Sequence, residues 1–463
     1  MIAAERWGMA VGAGSAAVSL ALLWGFTVDD AWISARVAHH LATGVGHRFN
    51  ADGPVVDAVT PLGFAHLLAP FARSGPSAAF VAARVLGALS WVAAAGWLGR
   101  QLASCGERRW RFAPLGLVAI SVPLGAWASA GMETGLVTAL ATLALGRGRF
   151  APLAAGLCAA WRPELIPWAM ALGIGTAIAR QRAPGPALFG LALALGPPAL
   201  VALCRVVAFG TAMPLAALAK PSGLEAGLGY AGSAFLLTAL PVLALAPWVV
   251  RQLPAHVVAV GIAGLVHFGA VAMAGGDWMP SFRLVVPVLP AWVLVAAAVA
   301  ERAAAWANAL RLTLALGLSL LVWRDVGLAS RHIVRQRSAL VASGRDALAG
   351  ARRIATLDAG WVGIATGAHV VDVAGVTDPT IAGLPGGHTS KRLDDAFLER
   401  REVDAVVALW DARRGGWFRR NDARLVELAQ SAEWVSGPEL PLAGSTYSYR
   451  VFRRPSARRT QPE

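Results

Sequence analysis

Long apolar runs fill the first two thirds of the chain and stop near residue 323. A helix needs about 20 mostly apolar residues to cross a bilayer. Stretches 8–27, 77–98, 186–204, 233–250, 255–274 and 284–300 meet that need, and 112–127, 133–146, 150–161, 164–179 and 308–323 are shorter or interrupted candidates. Together they predict about eleven spans. The pieces within 133–179 are split by Arg147, Arg149, Arg162 and Glu164. The first run is followed by Asp29-Asp30 rather than by a small-residue cleavage site, so it reads as a retained span, not a signal peptide. The apolar stretch 61–72 is too short to span and reads as re-entrant or interfacial. Beyond 323 the texture becomes polar and Arg-rich. Short β-like runs at Arg353–Leu357, His369–Val373, Ala405–Leu409 and Ser445–Phe452 alternate there with helical stretches such as Asp394–Arg401 and Arg424–Ser431. The expected fold class is therefore a membrane all-α, polytopic helical bundle over residues 1–323, with a small soluble α/β domain over 324–463.

Composition agrees with that division. Of 463 residues 56% are hydrophobic and 15% charged, against about 25% charged in an ordinary soluble domain. The formal charge of +14 would suit nucleic-acid binding if it formed one surface patch, but its placement argues otherwise. Arg100, Arg108, Arg109 and Arg111 share one loop; Arg147 with Arg149, Arg180 with Arg182, Arg251, and Arg302 with Arg311 mark others. With the N-terminus cytoplasmic, eleven spans put all of these inside, as the positive-inside rule demands. The cytoplasmic segments then carry 12 Arg and 3 acids, whereas outer loops and spans carry 8 basic and 8 acidic residues. The excess is a topology signal, with no nucleic-acid partner implied. The C-terminal domain falls outside the cytoplasm.

The first outer loop begins Thr27-Val28-Asp29-Asp30-Ala31-Trp32, directly after a span. One carboxylate can cap a helix over about 31–43, ended by Gly44. The other can face a cavity as a general base for a hydroxyl nucleophile. That helix looks amphipathic, with Ile33, Val37 and Leu41 on one face and Arg36, His39 and His40 on others, as if lying at the membrane interface. His39, His40, His47 and His66 match no metal-ligand spacing. Cys105, Cys158 and Cys204 imply neither a disulfide framework nor a metal site. Four further outer segments carry charge: Ser129-Ala130-Gly131-Met132-Glu133, Trp161-Arg162-Pro163-Glu164, Phe209-Gly210 through Met213-Pro214 to Lys220, and Gly275-Gly276-Asp277-Trp278-Met279 through Arg283. Charges at span ends are costly unless they meet water or partners. Under this topology Asp29, Asp30, Glu133, Arg162, Glu164, Lys220, Asp277 and Arg283 all fall on the outer side. Carboxylates with Arg and Lys suit a phosphate-bearing sugar substrate, and no Walker or dinucleotide loop is present.

These segments resemble those of the GT-C-fold membrane glycosyltransferases, in particular the terminal arabinofuranosyltransferases of mycobacteria and their relatives. The resemblance runs in order through Asp29-Asp30-Ala31-Trp32-Ile33, Gly44-Val45-Gly46, Phe49-Asn50, Thr60-Pro61-Leu62, Ser129–Thr134, Trp161–Glu164, Phe209–Lys220 and Gly275–Arg283. It continues into the tail at Val371-Asp372 and Gly375-Val376-Thr377-Asp378-Pro379. It implies transfer of a sugar from a polyprenyl-phosphate donor to a cell-envelope glycan acceptor, at the outer face of a bacterial plasma membrane. It also implies Asp29 or Asp30 as base; Arg162, Lys220 and Arg283 toward the donor phosphate; and Glu133, Glu164 and Asp277 as polar supports. No cofactor is required, although the Asp pair could hold a divalent cation. The chain departs from the family at Leu215-Ala216, which replace Asn-Thr, and in the loop 51–57, which lacks the Glu-Arg pair. These departures bear on arabinose as the sugar. The rival readings are a protein or lipid glycosyltransferase of the same fold, a lipid-linked glycan transporter, and a glycan-binding scaffold.

Overall fold

A computed structural model describes residues 2–455 except Arg182, Ser222, Leu245 and Pro247. Arg182, expected in a basic loop, thus lies outside the described residues. Two compact units emerge, and neither is continuous in sequence. The first comprises Met1–Thr27, Val81–Ala212 and Ser222–Ile333; the second comprises Val28–Phe80, Met213–Pro221 and Val334–Glu463. The chain crosses between them several times, rather than once at 323.

The first unit is helical. Each of the eleven apolar stretches contains helix, but only five helices among the described residues are long and apolar enough to cross a membrane. They are Ala3–Leu23, Pro76–Cys105, Pro184–Phe209, Ala255–Met273 and the apolar start of the helical run Ala305–Ala347. The pair Arg109–Ala119 and Val122–Ser129, bent by 55°, makes a sixth if counted as one. Thr134–Ala144, Ala151–Trp161 and Pro163–Ala179 are shorter apolar helices, as the Arg and Glu interruptions between them require. The expected span 233–250 is broken into Leu224–Thr238 and Leu240–Leu243, with Pro241 starting the second piece. Small residues let the helices approach. A Cβ on Gly8 would run into the Gly99 carbonyl, and one on Gly12 into that of Ala95. Gly8-xxx-Gly12 and Ala95-xxx-Gly99 thus form a small-residue seam of the kind membrane helices use. Gly87 and Gly135 meet in the same way, at 2.7 Å from an ideal Cβ on Gly135 to the Gly87 carbonyl oxygen. This contact seats the helix Thr134–Ala144 directly after Glu133.

The second unit holds a six-stranded sheet: β1 (Arg353–Thr356), β2 (His369–Asp372), β3 (Ala405–Asp411), β4 (Gly416–Trp417), β5 (Val435–Pro441) and β6 (Tyr447–Arg453). The order is β2-β1-β3-β6-β5, with β4 pairing β3. β2, β1 and β3 are parallel; β6 and β5 continue antiparallel. The four strands expected from the sequence are β1, β2, β3 and β6. β5, an edge strand with Pro438 and mostly exposed residues, lacks the apolar alternation that would have marked it.

The first loop belongs to this unit, and its helix Asp30–Ala42 is not an interfacial amphipath. Residues Ala31 to Ala38 are all buried, including Arg36. The Arg36 guanidinium donates to the carbonyls of Phe49 (2.8 Å), Gly363 (2.6 Å) and Ala368 (2.9 Å). Its cost of burial is met by satisfied hydrogen bonds, so the face that looks polar in sequence is an internal staple. His39 and His40 likewise bond the carbonyls of Ala72 and Arg48, each at 2.8 Å, while His47 stacks on His66. All four order the loop. Stretch 61–72 forms two short helical turns, Phe64–Leu68 and Ala69–Phe71.

Candidate functional site

The adjacent carboxylates Asp29 and Asp30 take different places in the second unit. Asp29 is the first residue flanking the helix Asp30–Ala42, yet its side chain makes no cap bond there. Both of its oxygens instead accept from the backbone of another helix, Ala359–Ala365. Oδ2 takes the Gly360 N–H at 2.7 Å and Oδ1 the Trp361 N–H at 2.9 Å. These are two of the donors that the first turn of a helix leaves unsatisfied. Asp358, the residue in the N-cap position of that helix, makes no side-chain cap bond, so Asp29 caps it from a distant part of the chain. Asp358 is engaged elsewhere. Arg419 Nη2 lies 2.6 Å from it and the Tyr449 hydroxyl donates to it at 2.9 Å, while Arg419 Nε reaches Asp422 at 2.6 Å and Arg337 donates to the Tyr449 oxygen at 3.0 Å. Burial, together with the Asp358 charge, raises the Asp29 pKa, against the pull of Arg337 and the two N–H bonds. Burial also works against ionising Asp358, but Arg419, Arg337 and the Tyr449 bond hold it below its ordinary value.

Asp30 differs in every respect that matters for chemistry. Its side chain keeps 22% of its exposure, and Lys220 Nζ, equally exposed, lies 4.0 Å from its Oδ2. Lys220 is positioned by the short helix Leu215–Ala219, which ends at it and packs on the helix Pro379–Ala382. That second helix is the Asp-Pro segment of the tail. Asp378 caps it by accepting from the Thr380 and Ile381 N–H groups. The turn before it is tied by Asp372, which accepts from Ala374 N (2.9 Å), Thr377 N (2.7 Å) and Thr377 Oγ1 (3.1 Å). Gly375 is there at φ +81°, a conformation that favours glycine. Burial pushes Asp372 up to about 6, opposed by these bonds and assisted by the nearby charge of Asp30. The Asp30–Lys220 pair therefore stands beside the carboxyl end of the parallel strand β2. Open α/β sheets bind their ligands at such strand ends.

The remaining sequence candidates, Glu133, Arg162, Glu164, Asp277 and Arg283, lie in the helical unit, where they are paired. Arg162 reaches Glu133 at 2.6 Å, Glu164 at 3.3 Å and the Thr134 hydroxyl at 3.2 Å. Pro163 starts a short helical turn that brings Glu164 back over Arg162. Arg283 lies 2.7 Å from Asp277 and 3.9 Å from the Met132 sulfur, next to Glu133. The segment before Arg283 holds Ser281 (φ 60°) and Phe282 (φ 53°) in the left-handed region, where side chains are strained. It is fixed by Trp127, which donates to the Pro280 and Ser281 carbonyls, and by the Leu284 N–H donating to the Tyr230 hydroxyl. The structure thus brings Asp29, Asp30 and Lys220 together in one unit, and gathers the other five in two ion-paired groups joined at Met132-Glu133. Sequence reasoning missed Arg337, Asp358, Asp372, Arg419 and Tyr449 as a supporting network. Only Asp372 carried a signal, as part of the tail motif. Among the described residues no three His, Cys, Asp or Glu side chains gather to hold a metal.

No protein-family model and no curated protein matches the chain. Among solved structures it is similar to the oligosaccharyltransferase of Archaeoglobus fulgidus in its apo form, with TM-score 0.52, 13% identity, and coverage of 87% of this chain and 69% of that one. At this identity the likeness concerns the fold, which is the GT-C type that the sequence motifs resemble.

Proposed function

We propose that the chain is a GT-C-type glycosyltransferase that moves a sugar from a polyprenyl-phosphate donor to a hydroxyl of a cell-envelope glycan, with Asp30 as the base. The observation that carries this reading is the division of labour between neighbours. Asp29 has both oxygens committed to a helix N-terminus, whereas Asp30 is part exposed beside a lysine. In the proposed step the acceptor oxygen attacks the anomeric carbon, its proton passes to Asp30, and the bond to the lipid phosphate breaks with its electron pair on the phosphate oxygen. Lys220 compensates the charge that develops there. With Lys220 supplying that cation, this reading requires no cofactor and leaves room for a divalent ion. The resemblance also offers Arg162 and Arg283 as substrate-binding candidates of the helical unit, held by Glu133, Glu164 and Asp277. The motif series makes arabinofuranose the first sugar to test, with the departures at Leu215-Ala216 and in the loop 51–57 standing against it, and the arginine distribution supports an extracytoplasmic face for the first loop.

The test is transfer of radiolabelled sugar from a polyprenyl-phosphate donor in membranes containing the chain. Asp30→Asn should lower transfer by about 10²- to 10⁴-fold while the protein remains folded. Wild-type turnover in that variant sinks the base assignment. Movement of the lipid-linked sugar across vesicles without transfer sinks the enzyme reading.

A further inference from the structure

Apart from the charged groups above, the helical unit carries a half-open cavity of about 130 Å³ between the bent pair 113–129, the segment 224–243 and the helices Leu289–Arg302 and Ala305–Val322. A second cavity of about 50 Å³ continues it, and Pro114, Leu117, Pro241, Val242, Ala296 and Ala315 line both. Hydroxyls in the wall serve the backbone: Thr238 donates to the Ala234 carbonyl, Ser319 to that of Ala315, and Ser121 accepts from the Leu124 N–H. The lining is therefore apolar in effect. It follows the helix Leu289–Arg302 from Leu289 to Ala300, about 16 Å at the helical rise, or roughly half a bilayer's hydrocarbon thickness.

One end of this cavity is not apolar. Asn308 and Arg311 line it there, 2% and 7% exposed. Asn308 donates to the Ala300 carbonyl at 2.7 Å and accepts from Arg311 Nη2. Nη1 of Arg311 is buried without a hydrogen-bond partner, and among the described residues no carboxylate pairs with Arg311. A buried guanidinium with an unused donor is costly. An anion in the cavity would relieve that cost and complete its coordination. An apolar slot one leaflet deep, ending on an uncompensated cation, has the shape and charge of a site for an anionic amphiphile.

We propose that this cavity binds a membrane phospholipid with a net negative head, its phosphate at Arg311 and one acyl chain between the four helical segments. Arg311 lies at the opposite end of the helix Leu289–Arg302 from Arg283, at the end that carries Arg302 and the 108–111 arginines, which favour anionic lipid. The site is independent of the Asp30–Lys220 chemistry, so either assignment can fail without the other.

The test is lipid binding to the purified full chain by native mass spectrometry, with dioleoyl phosphatidylglycerol, dioleoyl phosphatidylcholine and oleate as probes. Both phospholipids carry the phosphate, but the choline ammonium of phosphatidylcholine cancels its charge, so wild type should prefer phosphatidylglycerol by roughly tenfold, the attraction of one net charge to the clustered arginines. Arg311→Gln should erase that preference and Arg311→Lys should keep most of it. Ala315→Phe, which fills the shared wall and leaves the charge intact, should weaken phosphatidylglycerol binding. Equal affinity of wild type for the two phospholipids overturns the proposal, even if the glutamine variant fails to fold. Survival of the preference in a folded Arg311→Gln protein overturns it too, as expected if a lipid chain instead enters from the Phe282 end. Tighter binding of oleate than of phosphatidylglycerol overturns the phosphate assignment in favour of a carboxylate.

Discussion

The two units use charge in opposite ways. In the helical unit the site candidates sit in closed ion pairs: Glu133, Arg162 and Glu164 in one group, Asp277 and Arg283 in the other, with side chains 2% to 14% exposed. In the second unit one carboxylate of an adjacent pair is closed off and the other keeps an open side toward Lys220. A buried pair is held by its partner, since removing either member leaves an uncompensated charge. Asp30 and Lys220, by contrast, each keep 22% of their side-chain exposure, at a separation of 4.0 Å. The contrast is what the proposed roles rest on: closed pairs that keep the fold in the helical unit, and Asp30 as the proposed base in the second.

The sharpest way to break this contrast is Asp30→Asn. Loss of a positioned base lowers turnover by about 10²- to 10⁴-fold, with thermal stability unchanged, as single-turnover transfer and a melting curve would show. Lys220→Met should follow with a smaller loss of turnover. If both variants turn over normally, the open carboxylate has no part in chemistry. For the helical unit, Arg162→Ala should leave Glu133 buried without its cation and cost about 3–5 kcal/mol of stability. The Glu133→Leu, Arg162→Met double variant should recover much of it in a denaturation series. A double variant no better than the single would mean that the pair does more than keep the fold.

How much of this was legible in the sequence depends on range. The apolar runs announced the five helices long and apolar enough to cross a membrane among the described residues, because apolar composition is local; they over-counted the rest, which are shorter or broken. The break at Pro241 was missed because the run 233–250 is apolar on both sides of it. Strands β1, β2, β3 and β6 were legible from their β-branched runs, and the polar edge strand β5 was not. The eight charged candidates were found by type and spacing, and their joining was not. Arg36 looked like a solvent-facing residue because its partners at Gly363 and Ala368 are more than 300 positions away. One of the two aspartates looked like a cap for the helix that follows them, yet Asp29 caps one that begins at Ala359. Spacing identifies the neighbours of a residue along the chain, while these acceptors and donors are chosen by the fold.

The smallest expected effect sharpens the distinction between the two aspartates. Asp29→Asn replaces one of two acceptors with a donor facing the Gly360 or Trp361 N–H, which should cost about 1–3 kcal/mol while turnover per folded molecule stays within a few-fold of wild type. Its pH dependence has a definite sign. The Asp29 pKa is raised to about 7 in the fold, by burial first and then by Asp358, so between the ordinary value near 4 and about 7 the folded chain binds more protons than the unfolded one. Wild-type stability from this group therefore falls as pH rises through that window. The asparagine variant lacks that titration, so its deficit relative to wild type should be largest near pH 5 and narrow by pH 8. Melting temperatures of both proteins across that range measure it, and other titrating groups such as Asp372 largely cancel in the difference. A deficit that widens with pH would mean that Asp29 is ionised in its clamp, with Arg337 outweighing burial and Asp358.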